Sequence, residues 1–281
     1  MSLENTEIPD MKSIWNGKGG QVWVENQKLL DGMFKPFEDC LVKAVLDSGK
    51  VNILDIGCGA GATSLATSWV LGETGKVTGV DVSKALIQAA KERTTIGEIS
   101  TQFICSDAQS YRFEEAVYDM VISRFGVMFF DDPVAAFKNF HGAATTDAQL
   151  HMYAWRSPTE NPFMTAAQKA AAPYMQGLPK PEPNAPGQFG FANADYVREI
   201  LTKAGWKGVE IEPIDLDCSL AAGELEKYNT NLGVLGMIYD QLDNETREEV
   251  RLKVQSAFQS FVKGDRAEFV AACWKITASA N

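Results

Sequence analysis

From about residue 50 to 155, short apolar runs alternate with amphipathic helical patterns, and this alternation restricts the fold more than any other feature. The runs are VNILDIG (51–57), KVTGVD (76–81), TQFICSD (101–107), YDMVISRF (118–125) and QLHMYAW (149–155). Each is too short for a stable helix and carries β-branched or aromatic residues, as buried strands do. Helical patterns lie at 61–72, closed by Gly72, and at 83–94, where Ser83 is placed to cap. A third, at 131–144, begins with an aspartate and Pro133, a favoured first turn. Such alternation predicts an α/β fold: a doubly wound, mostly parallel sheet with right-handed crossovers.

The alternation breaks after residue 155. Residues 156–191 are rich in proline, with room for one or two helices near 163–175. A helix is expected at 193–206, a sixth strand at 208–218, helices through 220–263, and a seventh strand at 268–279. Ligands of doubly wound sheets bind beyond the carboxyl ends of the strands. The 156–191 and 220–263 inserts leave from the carboxyl ends of strands five and six. They are therefore expected as helical cap elements over the ligand edge. The expected organisation is an N-terminal helical lid segment, 1–45, and a core, 46–281, carrying both insertions.

Three acids and a glycine loop mark that edge. LDIGCGAG places Gly57, Gly59 and Gly61 between a strand and a helix, where backbone N–H groups and a helix N-terminus can meet a ligand. The same letters satisfy the dinucleotide pattern G-x-G-x-x-A. Asp55 lies two residues before the first glycine, where dinucleotide sites usually have an apolar residue or glycine. Asp81 ends the second strand, and an acid there accepts ribose hydroxyls of NAD or of an adenosyl ligand alike. Asp107 ends the third, where an acid can accept from an adenine amino group.

Taken together, LDIGCGAG, VTGVDVS, CSDA and YDMVISRFGVMFF resemble the successive motifs of class I S-adenosylmethionine-dependent methyltransferases. More narrowly they are similar to the group related to ubiquinone and menaquinone biosynthesis methyltransferases. The resemblance covers roughly 48–155, and more loosely 193–281. It implies S-adenosylmethionine as cofactor and a seven-stranded sheet in the order 3-2-1-4-5-7-6, with the last strand antiparallel. It implies that Asp55, Gly57, Gly59 and Gly61, with Cys58 in the same loop, hold the methionine part. Asp81 would hold the ribose with Val82 beside the adenine, and Asp107 and Ala108 would meet the adenine edge. Ser123, Arg124 and Phe125 would line the floor near the sulfonium. HGAATTDAQL departs from the glycine-containing turn that usually precedes strand five.

Methyl transfer from a sulfonium is an in-line displacement of an already activated group, so alignment and water exclusion matter more than a fixed triad. Base candidates are few. His151 lies on strand five, His141 near a helix end, and Glu160 at the start of the first insert; Asp131 and Asp132 read as helix caps. Aromatics at the ligand edge suggest an apolar acceptor pocket of Trp23, Phe129, Trp155, Phe163, Phe189 and Phe191, so the expected partner is a small, partly apolar methyl acceptor. Asn161–Phe163 (NPF) reads as a turn, since it follows strand five and lacks the second proline of the amide-methylating motif. Two other functions share the glycine loop: an adenosylmethionine-binding sensor and an NAD-dependent reductase. The second is disfavoured because none of the seven tyrosines has a lysine four residues on.

A net charge of −11 argues against a nucleic-acid partner. Cys40, Cys58, Cys105, Cys218 and Cys273 form no C-x-x-C pair and read as reduced core thiols of a cytoplasmic protein. With two histidines and no ligand spacing, no metal is expected. Neither a signal peptide nor an apolar run long enough to span a membrane is evident, and a homodimer is one oligomeric state to test.

Overall fold

The computed structural model describes residues 10–94, 101–174 and 182–281. The first nine residues of the expected lid and residues 175–181 of the proline-rich insert lie outside the described residues. Four helices open the chain: α1 (Met11–Asn16), α2 (Lys18–Glu25), α3 (Gln27–Met33) and α4 (Lys35–Ser48). The alternating core follows as β1 (Asn52–Ile56), α5 (Ala62–Leu71), β2 (Lys76–Asp81), α6 (Lys84–Thr94), β3 (Thr101–Cys105), β4 (Tyr118–Arg124), α7 (Pro133–Ala143) and β5 (Ala144–Trp155). Then come α8 (Pro162–Ala171), α9 (Ala194–Lys203), β6 (Lys207–Ala221), α10 (Leu225–Asn231), α11 (Gly233–Ile238), α12 (Asn244–Phe258), β7 (Val262–Lys263) and β8 (Arg266–Ser279).

The strands form one sheet in the order β3-β2-β1-β4-β5-β8-β6, and β7 is a two-residue addition paired with β8. With β8 as the seventh strand of the sequence reading, this is the expected order. β3, β2, β1, β4 and β5 run parallel, and β8 is antiparallel to both of its neighbours. Central β1 is buried from Ile53 to Ile56, which explains its apolar residues on both faces, with Asp55 the one polar residue among them. α4 packs against β4, β5 and β6, with Phe37, Leu41 and Val45 all fully buried at a helical spacing of four. The expected caps at Asp132 and Ser83 form, with Asp132 accepting from Ala135 N at 2.9 Å and Ser83 Oγ from Leu86 N at 3.4 Å, and Asn193 caps the next helix by accepting from Asp195 N at 3.0 Å.

Two features depart from the sequence reading. β5 begins at Ala144, directly after α7, and the unusual HGAATTDAQL segment is absorbed as a register irregularity against β4 rather than a turn. Lys50 holds the irregular stretch through Asp147 at 2.6 Å. The antiparallel β6–β8 pair is also longer than expected. Trp155, the end of β5, pairs with Cys273, and Cys273 pairs with Ile214. Asp215–Ala221 and Arg266–Ala272 therefore overhang the sheet by roughly 20 Å at the strand rise of ~3.3 Å per residue. The overhang supports the second half of the cap. Asn161 Nδ2 donates to Ala272 O at 2.9 Å while its Oδ1 accepts from Ala272 N at 3.0 Å, pinning α8 to it.

Candidate active site

The carboxyl ends of β1 and β4 meet under α3 in a narrow cleft, with a cavity volume of about 50 Å³. Its floor is the glycine loop. Gly57 has φ +65°, and a β-carbon there would lie 2.5 Å from Gly126 Cα, so the loops after β1 and β4 touch backbone to backbone. Gly59, at φ +55°, has no atom within 4 Å of where a β-carbon would stand, which leaves room beside the chain for a ligand. Its N–H donates to Asp81 Oδ2 at 2.9 Å, and Ser83 N donates to Oδ1 at 2.8 Å. Burial raises the Asp81 pKa against these two bonds. The carboxylate at the end of β2 is thus oriented by the loop after β1.

Asp55 is 1% exposed and accepts from Ser64 Oγ of α5 at 2.6 Å. Burial pushes its pKa up to about 7, opposed by the Ser64 bond and by Arg124. Burial likewise raises the Cys58 thiol, with Asp81 adding to the effect. Ser123 is fully buried; its Oγ donates to Ile56 O at 2.7 Å and accepts from Gly126 N at 3.1 Å, tying β4 to β1. Phe125 takes φ +67°, a left-handed conformation that a bulky residue rarely adopts outside functional sites. Its N–H donates to Tyr153 O at 3.1 Å, and its ring stacks on Trp155 at 4.5 Å with Phe34 edge-on at 5.3 Å.

The N-terminal helices roof this floor. Asn16 donates to Val82 O at 3.0 Å and accepts from Lys84 N at 3.2 Å, docking α1 beside the end of β2. Arg93 at the end of α6 donates to Ala60 O at 2.7 Å and pairs with Asp31 of α3 at 2.9 Å, joining the glycine loop to the roof. Lys18 reaches Gly236 O at 2.9 Å and Lys227 reaches Glu25 O at 3.2 Å, so α2 also meets the second insert.

Of the residues expected at the cofactor, Asp55, Gly57, Cys58, Gly59, Arg124 and Phe125 line the cleft. Gly61 caps α5 at φ +81°, and Asp81 reaches the cleft through Gly59. Val82, Asp107 and Ala108 lie farther along the same edge; Asp107 accepts from Gln109 N at 3.0 Å, and Ala108 O accepts from Asn139 at 2.9 Å. The sequence reading missed Leu30, Asp31, Phe34 and Thr63, which also line the cleft. Nothing in the QKLLDGMF stretch distinguishes a cleft-lining acid from a surface one.

The acceptor-pocket expectation needs correction. Trp23 lines the cleft, and Phe129 joins it through Trp15, which packs edge-on against both rings at 5.5 and 5.2 Å. Trp155 is 3% exposed and backs Phe125 instead of facing the cleft. Phe163 is stacked on Phe269 of the overhang at 3.9 Å, with Phe258 at 5.1 Å, so it forms the core of the cap. Phe191 packs on Phe137 of α7 at 6.1 Å, and Phe189 is half-buried near it, because 182–192 runs back along the turn after β4.

The base candidates fare similarly. His151 lies four residues before the end of β5, where its ring meets Tyr153 Oη at 3.3 Å. Burial and nearby Lys275 lower its pKa to about 4, so it is neutral, but it does not line the cleft. His141 is half-buried against Ala280 O at 3.1 Å. Glu160 is held by Ser157 and Arg156, which lower its pKa. Cys105 is exposed on the edge strand, unlike the core thiol expected there. No described helix is long and apolar enough to cross a membrane.

Comparison with known proteins agrees with this geometry. Residues 53–146 match the family model described as a methyltransferase domain. A demethylmenaquinone methyltransferase of Staphylococcus aureus is 34% identical over 88 residues, 31% of this chain and 36% of the relative. The chain thus spans little more than a third of that relative's length in the match. Among solved structures, magnesium protoporphyrin IX methyltransferase of Synechocystis with bound S-adenosylhomocysteine superposes with a TM-score of 0.53 at 17% identity, covering 74% of this chain and 90% of that one. The YcgJ protein of Bacillus subtilis superposes at 0.54 with 15% identity, covering 86% and 97%. Residues 53–146 are thus similar to a methyltransferase domain, and the sheet has the same fold as these solved structures.

Proposed function

We propose that this protein is a methyltransferase that uses S-adenosylmethionine to methylate a small, partly apolar molecule. The observation that carries this is the Asp81–Gly59 bond. It aims a ribose-type acceptor at the open side of a glycine loop that already contains a buried acid, Asp55. S-adenosylmethionine supplies a methyl activated by its sulfonium. The chain's part is to orient the donor, bring the acceptor into line and exclude water. In this reading the glycine loop and Asp55 hold the methionine part, and Asp81 and Val82 the nucleoside. Asp107 and Ala108 meet the adenine, and Ser123, Arg124 and Phe125 form the floor.

The roof helices and the two inserts act as the cap of a core that begins near residue 46. Trp23 and Phe129 form the apolar wall available to an acceptor. The demethylmenaquinone methyltransferase relatives make quinone-type rings the first acceptors to screen, by methyl transfer measured over quinones, phenols and amines.

Thermal unfolding with S-adenosylhomocysteine and, separately, NAD tests the donor. A ligand at 100 times its Kd adds ~2.7 kcal/mol to stability. Stabilisation by S-adenosylhomocysteine is expected, and stabilisation by NAD alone refutes the assignment.

A further inference from the structure

We propose that the cap carries a second small-molecule site, separate from the cleft, for an uncharged ligand with an apolar body and one hydroxyl- or amide-type donor. Residues of α10, α11 and α12, with the turn Ala222–Glu224 and Val262 of β7, line a cavity of about 310 Å³. That lies within the range of small-molecule pockets, ~300–1,000 Å³. The cavity shares no lining residue with the cleft over the glycine loop. Its inner wall is apolar. Leu235, Val254 and Phe258 line it and are buried, and Phe258 also packs edge-on against Phe163 at 5.1 Å.

Asn229 of α10 breaks this apolar wall. It lines the cavity, is only 4% exposed, and its Oδ1 has no hydrogen-bond partner among the described residues. A buried amide oxygen without a partner is costly, so a ligand that brings a donor relieves a cost built into the fold. The other polar groups of the lining are engaged or stand at the rim. Thr230 Oγ donates to Glu226 O at 2.9 Å. Arg251 forks onto Glu248 through Nε at 2.8 Å and Nη2 at 2.7 Å, and its Nη1 lies 3.7 Å from Glu226. Gln255 and Gln259 are exposed. The charges at the cavity, Glu226 and Arg251, are thus matched to each other, which selects against a charged ligand. What is left unmet is one acceptor on an apolar surface, and that defines the chemistry of the occupant.

Fluorescence titration with 2-naphthol and with 2-methylnaphthalene tests the site. The two probes share a fused apolar ring system, and only the first carries a hydroxyl donor. The wild-type chain should prefer 2-naphthol by about tenfold or more, the value of an otherwise unmade buried hydrogen bond. Asn229→Leu, close in shape but apolar, should abolish that preference by weakening 2-naphthol about tenfold while 2-methylnaphthalene binds as well or better. Ala222→Trp, which fills the cavity from a less buried wall, should remove binding of both probes. Trp23→Ala, in the cleft, should leave both within about twofold. Cooperative thermal unfolding reports that each variant is folded. An absence of saturable binding to the wild type overturns the site, as does an undiminished preference in Asn229→Leu. A loss seen in Trp23→Ala instead of Asn229→Leu places the probe in the cleft and overturns it equally.

Discussion

Asp55→Asn should make the fold less sensitive to rising pH. Asp55 is buried, with its pKa pushed to about 7 chiefly by that burial. In the unfolded chain an aspartate titrates near ~3.9. The folded state therefore binds the proton more tightly. The associated stability is fully present below the unfolded value and is lost as pH rises through about 7. From pH 5 to pH 7 the loss runs at up to about 1.4 kcal/mol per unit, and it levels off above, giving about 2–3 kcal/mol between pH 5 and pH 8. An asparagine has no such titration, and its amide oxygen can still accept from Ser64 Oγ. Other ionisable groups are common to both proteins and cancel in the comparison. Urea unfolding of both proteins at pH 5 and pH 8 measures the effect. The variant should gain about 2–3 kcal/mol on the wild type between the two, or roughly 5 °C in Tm for a chain of this size. A stability gap that is the same at both pH values, or one that turns against the variant at pH 8, refutes the raised pKa and the dry environment assigned to Asp55.

Three further outcomes follow from the geometry. Asp81→Ala removes the acceptor for Gly59 N and Ser83 N and should weaken S-adenosylhomocysteine binding about tenfold or more while the chain still folds; calorimetry showing unchanged affinity would separate Asp81 from the ligand. Gly57→Ala combines a positive φ with a β-carbon 2.5 Å from Gly126 Cα, and should cost at least about 2 kcal/mol in chemical denaturation; a neutral result would show that the two loops are not in contact. Phe163→Ala should lose about 3–5 kcal/mol of stability, because its ring fills the cap core against Phe269 and Phe258; a loss below about 1 kcal/mol would place it at a surface or pocket instead.

The alternating core was legible because each of its elements announces itself locally. A buried parallel strand is apolar on both faces, as Ile53, Leu54 and Ile56 are, and a helix start must satisfy its N–H groups, as Asp132 and Asn193 do. Gly57, Gly59 and Asp81 were legible for the same reason: a strand-to-helix loop with positive φ admits few residues besides glycine, and an acid at a strand end has few local uses. The aromatic positions were not legible. A phenylalanine packed in a cap core and one facing a ligand carry the same apolar signal, so only neighbours such as Phe269 distinguish Phe163 from Trp23.

By itself, then, the sequence determined the sheet, its order through the resemblance, and the loop at its centre, since these depend on spacing along the chain. The tertiary structure decided what closes over that loop. Asp31, Phe34 and Trp23 reach the cleft because α1–α3 fold back across the end of β2, where Asn16 holds Val82 O and Asp31 pairs with Arg93. Asp31 meets Arg93 across 62 positions of sequence and Asn161 meets Ala272 across 111, and no local pattern encodes a contact made at that distance.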